Sequence, residues 1–353
     1  MGRFFTATPN GPFMIKLPHN QLSPEQVLAR LAAETEPRTP LSCYRYFSVT
    51  DPQAFRDQLY LTLDPLAVFG RIYVAHEGIN AQFSAPQSRV EEVKEQLRSL
   101  PGLAGIDVKP GIAPGKDEAF IKLVVKVKKS LVADGLVGNE GDPVLAAPHL
   151  NAAEFNAAID LPDVTVIDMR NGYESEVGHF DRAWCPEVET FREQLPMVVE
   201  KLQDKKDSPV LMYCTGGIRC EKASAYLRQH GFSDVRQLEG GILGYVRDIR
   251  NKGLPSRFHG RNFVFDGRLG EKVTDEILAQ CFICGAPADE HQNCADTACH
   301  RLHIRCPACA ERLQDCCSED CLAAKQLPED QHLERRRRLA AEREVFYQSS
   351  KNR

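Results

Sequence analysis

The residue best placed to do chemistry is Cys214, at the entrance to a short glycine-rich loop between an apolar run and a helix-forming stretch (residues 211–224, LMYCTGGIRCEKAS). Gly216 and Gly217 let the backbone curl tightly, so that successive N–H groups can point at the sulfur and at any anion beside it. Thr215 and Ile218 complete the ring, and Arg219 closes it with a positive charge. Residues 221–230 read as a helix whose N-terminus adds positive potential at the same place. Together these features favour thiolate over thiol, lower the Cys214 pKa and make a sulfur nucleophile. The spacing is Cys-x4-Arg, one residue shorter than the Cys-x5-Arg ring with which cysteine-dependent phosphatases hold a phosphate, and the tighter loop suits a sulfane sulfur better. Cys220 is either a second thiol or a small packing residue in the first helical turn, with the packing role slightly preferred.

A second concentration of chemistry lies further on. Nine of the thirteen cysteines fall between positions 281 and 321: Cys281, Cys284, Cys294, Cys299, Cys306, Cys309, Cys316, Cys317 and Cys321. Spacings of two to four residues let neighbouring thiolates reach one metal from a tight knuckle, and four paired knuckles suit two tetrahedral zinc ions. A segment this short and polar has too little apolar surface to fold unaided, so structural zinc is expected to hold it together. An interleaved pairing puts Cys281, Cys284, Cys306 and Cys309 on one ion and Cys294, Cys299, Cys321 with Cys316 or Cys317 on the other. A sequential pairing, or His291, His300 or His303 in place of a thiolate, stays open, as does a redox-active or loosely ordered cluster.

The elements that position these groups can be read from periodicity. In the N-terminal third, residues 44–49 read as a strand and 51–63 as a helix capped by Asp51 with Pro52 in its first turn. Residues 69–83 read as a hairpin around Glu77-Gly78-Ile79-Asn80, 88–100 as a second helix and 120–127 as a closing strand. That βαββαβ order implies a ferredoxin-like sheet with two helices on one side, preceded by a helix at 21–34. The glycine- and proline-rich stretch 102–116 reads as a loop. The closing strand alternates Ile121, Leu123, Val125 and Val127 with Lys122, Lys126 and Lys128, giving one buried face and one lysine face that is either simply solvated or a grip for phosphates.

Four segments around Cys214 resemble the rhodanese domain: Thr165-Val166-Ile167-Asp168 as its central strand, Asp168-Met169-Arg170 with Glu174 and Gly178-His179-Phe180 as its first signature, the Cys214 loop, and Gln237-Leu238-Glu239-Gly240-Gly241-Ile242 as its closing turn. The resemblance implies a doubly wound parallel sheet with Cys214 as the catalytic cysteine, carrying a persulfide, and Arg219 orienting the loop. Asp168 and His179 are expected to be scaffold. Taken with AHEGINAQF at 75–83, GRNFVFDGR at 260–268 and the cysteine-rich segment, nearly all of residues 21–330 resembles the bacterial tRNA uridine(34) hydroxylase family. That implies oxygen-dependent hydroxylation of the wobble uridine at C5, with molecular oxygen as cosubstrate and the anticodon region of tRNA as partner. Recognition is expected from the first and last parts of the chain, with a single-stranded base delivered to the Cys214 loop.

The expected architecture is therefore α/β and multidomain: an extension with a helix (1–40), the ferredoxin-like domain (41–133), a linker (134–148), the rhodanese domain (149–258), a connecting segment (259–280), the zinc-stabilised segment (281–325) and a basic, poorly ordered tail (326–353). With a net charge of −5, a nucleic-acid partner must meet a local patch. Besides the three lysines, the candidates are Arg257, Arg261 and Arg268. No apolar run approaches the roughly 20 residues that span a bilayer, and MGRFFTATPNGPFMIK lacks a hydrophobic signal core, so a soluble cytoplasmic protein without a membrane or obligate protein partner is expected. No His-x-Asp/Glu triad, haem attachment site, Gly-x-Gly-x-x-Gly or flavin motif is found, which leaves the redox cofactor open. From the loop alone the reaction would be sulfur transfer, and a non-catalytic tRNA- or protein-binding module is the third reading.

Overall fold

The computed structural model describes residues 18–20, 22–112, 119–341 and 347–348, and expectations for residues 1–17 and for the last part of the tail lie outside the described residues. Helix α1 (Pro24–Ala32) opens with a capping box in which Ser23 and Gln26 satisfy each other's backbone N–H groups. The chain then forms β1 (Arg38–Tyr46), α2 (Pro52–Leu63), β2 (Phe69–Ala75), β3 (Gly78–Pro86), α3 (Val90–Ser99), β4 (Lys109–Pro110) and β5 (Leu123–Val127). Asp51 caps α2 by accepting from the N–H groups of Gln53 and Ala54, both at 3.0 Å. Phe55, Leu59 and Leu63 recur every four residues along α2, and with Val93 and Leu97 of α3 they cover Ile72, Val74, Ile79 and Phe83 on one face of the sheet. The opposite face is left uncovered by α2 and α3.

The strand order is β4-β1-β3-β2-β5, and two expectations are corrected by it. The strand that closes the βαββαβ unit is β4, inside the stretch expected to be a loop. The expected closing strand is instead an added edge strand, β5, parallel to β2. Two residues, one of them proline, leave β4 too short for periodicity to register. Because β5 is an edge, Ile121 and Val127 are 46% and 42% exposed, and only Leu123 and Val125 are buried. Strand β1 also starts six residues earlier than its apolar alternation suggests. Its first residue, Arg38, is buried by bonding to Ser84, Glu34 and the Ala67 carbonyl and by lying over the Phe69 ring.

The second sheet is parallel, in the order β6-β11-β10-β7-β9. Its elements are β6 (His149–Leu150), α4 (Ala152–Ile159), β7 (Thr165–Asp168), the single turn α5 (Gly172–Ser175), β8 (Gly178–Phe180), β9 (Ala183–Trp184), α6 (Phe191–Lys201), β10 (Val210–Tyr213), α7 (Ile218–Gln229), β11 (Val235–Leu238) and α8 (Gly241–Lys252). Strand β10 is buried on both faces: Leu211 and Tyr213 meet α4 and α8, while Val210 and Met212 meet α6 and α7. Beyond it, β12 (Phe258–Asn262) pairs with β8 and with β13 (Glu271–Lys272), so a strand runs across the boundary expected at 258 and ties the connecting segment to the parallel-sheet domain.

The cysteine-rich segment is built on β14 (Glu290–Asn293) and β15 (Leu302–Arg305), two short helices, α9 (Pro307–Arg312) and α10 (Glu319–Ala324), and β16 (Tyr347–Gln348) beside β15. The tail was expected to be poorly ordered, yet residues 329–341 form α11 (Glu329–Ala341). Arg335 and His332 anchor that helix on the fully buried carboxylate of Asp296, each at 3.0 Å.

Candidate active site and metal centres

The Cys214 loop is held from three sides. Strand β10 ends at Tyr213 and α7 begins at Ile218, so the loop is the strand-to-helix turn itself. Gly217 adopts φ +106°, and its N–H donates to the Cys214 sulfur at 3.1 Å. The start of α8 clamps the loop from behind, with the N–H groups of Ile242 and Leu243 donating to the carbonyls of Cys214 and Thr215 at 3.0 and 3.1 Å. This close approach explains the Gly240-Gly241 turn. Gly241 has φ +61°, and a Cβ there would stand 2.4 Å from the Cys214 carbonyl oxygen.

Burial would push the Cys214 thiol up, but a hydrogen bond from the Cys220 thiol, the Arg219 charge and the N–H groups of Gly217 and Arg219 outweigh it and hold the pKa down at about 5. Cys220 moves the opposite way: burial, and its role as donor to the Cys214 thiolate, raise it well above an ordinary thiol. It is fully buried in the first turn of α7, where a packing role and a bond to the reactive sulfur are compatible. Arg219 is gripped at both ends of its fork by Glu174, at 2.6 and 2.9 Å, and reaches Thr215 Oγ1 at 3.3 Å. Glu174 is itself fixed by the Asn171 N–H at 3.0 Å. The guanidinium is thus a rigid support for the loop. Asp168 acts as scaffold, as expected, paired with buried Arg170.

The face of the N-terminal sheet turned away from α2 and α3 lies across from the loop and encloses with it a cavity of about 410 Å3. Cys214, Thr215, Gly216, Ile218 and Arg219 form one wall; Ser42, Tyr44, Arg71, Tyr73, Asn80 and Gln82 form the other. Phe265, Asp266, Arg268 and Glu271 from the connecting segment close a side. Tyr44 joins the walls. Its hydroxyl lies 2.6 Å from where a Cβ on Gly217 would stand and donates to Glu221 on α7 at 2.9 Å, while Glu221 also accepts from His149 and Gln237. A second tie is Lys222, which bonds Glu77 at 2.7 Å and Asp134 at 3.0 Å. The hairpin AHEGIN therefore docks one domain on the other through Glu77 and contributes Asn80 to the cavity. Sequence reasoning singled out the motif without finding its use, because the partner lysine is 145 positions away. Tyr44, Arg71 and Tyr73 carried no signal beyond ordinary strand alternation.

Of the candidate basic residues, Lys126 is exposed on the edge strand β5 and Lys122 and Lys128 are exposed at its two ends, with Lys128 over the Tyr73 ring at 5.3 Å. Among the described residues none of the three has a carboxylate partner. Arg257 pairs with Asp160 and Asp181, and Arg268 with Asp266 and Glu271, so their charge is matched within the chain. Arg261 is half-buried near Asp289 at 3.9 Å.

The cysteines converge in two groups of four, each with its sulfurs within 4.8 Å of one another: Cys281, Cys284, Cys306 and Cys309, and Cys294, Cys299, Cys317 and Cys321. Zinc with four thiolates at about 2.3 Å requires sulfurs about 3.8 Å apart. The separations Cys284–Cys306, Cys299–Cys317 and Cys317–Cys321 are 3.7, 3.8 and 3.7 Å, so the donor sets fit zinc. Of the two candidates for the fourth place, Cys317 belongs to the second group, while Cys316 is buried and belongs to neither. Among the described residues no histidine belongs to either group. Four thiolates with no open position suit a structural ion rather than a catalytic one.

Comparison with known proteins fits this division. Residues 38–131 match the UPF0176 acylphosphatase like domain, 151–248 the rhodanese-like domain and 259–322 a rhodanase C-terminal family. The chain is 51% identical over 326 residues to the tRNA uridine(34) hydroxylase of Cronobacter sakazakii, covering 92% of each. It is 52% identical over 305 residues to that of Citrobacter koseri, covering 86% of this chain and 87% of the relative.

Proposed function

Because the chain belongs to the tRNA uridine(34) hydroxylase family, we propose that it hydroxylates the wobble uridine of tRNA at C5 to give 5-hydroxyuridine, with Cys214 as the catalytic cysteine. The observation that carries this reading is the Cys214 loop opening into a cavity walled by a second domain: a thiolate at neutral pH faces a space of about 410 Å3, in the range of small-molecule sites. Molecular oxygen is the cosubstrate: one oxygen atom enters the C5–H bond, and the other leaves as water with two electrons and two protons from a reductant. Arg219 and Glu174 hold the loop so that its N–H groups face the sulfur. The anticodon loop presents its base unpaired, so entry costs no duplex opening. Lys122, Lys126 and Lys128, without carboxylate partners among the described residues, suit contact with the phosphates of the incoming strand. Two structural zinc ions would hold the C-terminal segment folded around thiolates, and the activity belongs in the cytoplasm, where tRNA is modified.

The test is purified protein with uridine-34 tRNA under isotopically heavy oxygen. Label in 5-hydroxyuridine from the wild type and none from Cys214→Ala supports the reading; unlabelled or absent product refutes it. A rhodanese-type sulfurtransferase is the second reading, favoured by the four-residue spacing from Cys214 to Arg219. It predicts turnover of thiosulfate without oxygen.

A further inference from the structure

Asn80 stands in the middle of the cavity wall opposite Cys214. In register it lies between Tyr44 on β1 and Tyr73 on β2, and all three line the cavity. Two flanking aromatic side chains offer stacking surface to a flat ring. The Asn80 amide has one orientation favoured, since Nδ2 lies 3.5 Å from the Leu131 carbonyl, a long contact that only the donor end of the amide can make. Turning the amide over would set its oxygen against that carbonyl. Oδ1, which accepts from no described residue, is therefore the atom left to offer, and it offers only a lone pair. Beside it, Arg71 lines the same cavity while remaining exposed, and it bonds to no carboxylate among the described residues. The other two arginines of the cavity, Arg219 and Arg268, are both matched by carboxylates.

We propose that this wall is the uracil-reading site, in which Asn80 Oδ1 accepts from the N3–H of the target base and Arg71 takes an adjacent phosphate at the mouth. The inference rests on the tRNA reading above. Uracil carries a donor at N3 and cytosine a lone pair there, so a fixed acceptor attracts the first and repels the second. A freely turning amide could satisfy either base, which is why the Leu131 contact matters. The phosphate contact carries no base information and contributes affinity alone.

The experiment is binding of a fluorescently labelled anticodon stem-loop by anisotropy, with uridine, cytidine or 3-methyluridine at the wobble position. Wild type should prefer uridine by roughly tenfold over cytidine and over 3-methyluridine, the discrimination expected of one buried hydrogen bond against an unpaired acceptor. Asn80→Ala should bind all three alike, so that the N3 methyl costs the variant nothing. This chemical cycle separates a reading role from a structural one, because misfolding would weaken every ligand together. Arg71→Gln should weaken all three by a similar factor and lower the slope of log affinity against log salt by about one. Retention of the uridine preference by Asn80→Ala overturns the assignment of Asn80, while an Arg71 variant with an unchanged salt slope overturns the phosphate contact. Wild type that binds no stem-loop at all overturns the tRNA reading and this one with it.

Discussion

Replacing Cys220 with alanine should move the titration of Cys214 without moving the loop. In the intact site the Cys220 thiol donates to the Cys214 thiolate, and this is the largest of the effects that bring its pKa from 9.0 down to about 5. A hydrogen bond to a charged acceptor contributes roughly 1.5–3 kcal/mol. At 1.36 kcal/mol per unit, that is about one to two pKa units, so the variant should titrate near pH 6 to 7. At pH 6 the thiolate fraction would fall from about nine-tenths to about a quarter for a shift of about 1.5 units. The assay is thiolate ultraviolet absorbance against pH, taken as a difference from Cys214→Ala, which removes the contribution of the metal-site thiolates. A variant that still titrates near 5 would show that Arg219 and the loop N–H groups suffice without Cys220, and a wild type that titrates near 9 would refute the electrostatic account altogether. The sign extends to stability. A folded pKa below the unfolded one means that the thiolate's contribution is fully present above pH 9 and is lost as pH falls through about 5, so Cys214→Ala should flatten the rise of stability with pH across that window.

Gly241→Ala should cost about 3 kcal/mol or more in urea unfolding and abolish product formation, since φ +61° and a 2.4 Å approach to the Cys214 carbonyl leave no room for a methyl group. Lys222→Met strands the buried Asp134 and frees Glu77, and should lower stability by about 2 kcal/mol, with faster proteolysis of the 134–148 linker as the domains loosen. Metal analysis by mass spectrometry should find two zinc ions per chain, still two in Cys316→Ser and one in Cys317→Ser; equal loss in both variants would contradict the ligand sets.

What the sequence made legible is what local spacing encodes. The Cys214 loop, the Gly240-Gly241 turn, the Asp51 cap and the paired cysteine knuckles all depend on residues a few positions apart. Cys317 could not be chosen over Cys316 because both satisfy the spacing, and only the α10 knuckle decides which sulfur turns inward. Strand β4 escapes for a different reason: two residues before a glycine carry no period, and their pairing with β1 is set some seventy residues away. The far wall of the cavity was hidden in the same manner. Asn80, Tyr44 and Tyr73 become neighbours only through strand register, and the Glu77 contact with Lys222 exists only after two domains have met.

The most direct test of the central claim is nucleoside mass spectrometry of tRNA from cells lacking this protein, complemented with wild type or with Cys214→Ala. The account predicts that 5-hydroxyuridine and nucleosides derived from it are absent without the protein, return with the wild type and stay absent with the variant. Their persistence without the protein, or their full return with Cys214→Ala, would contradict it.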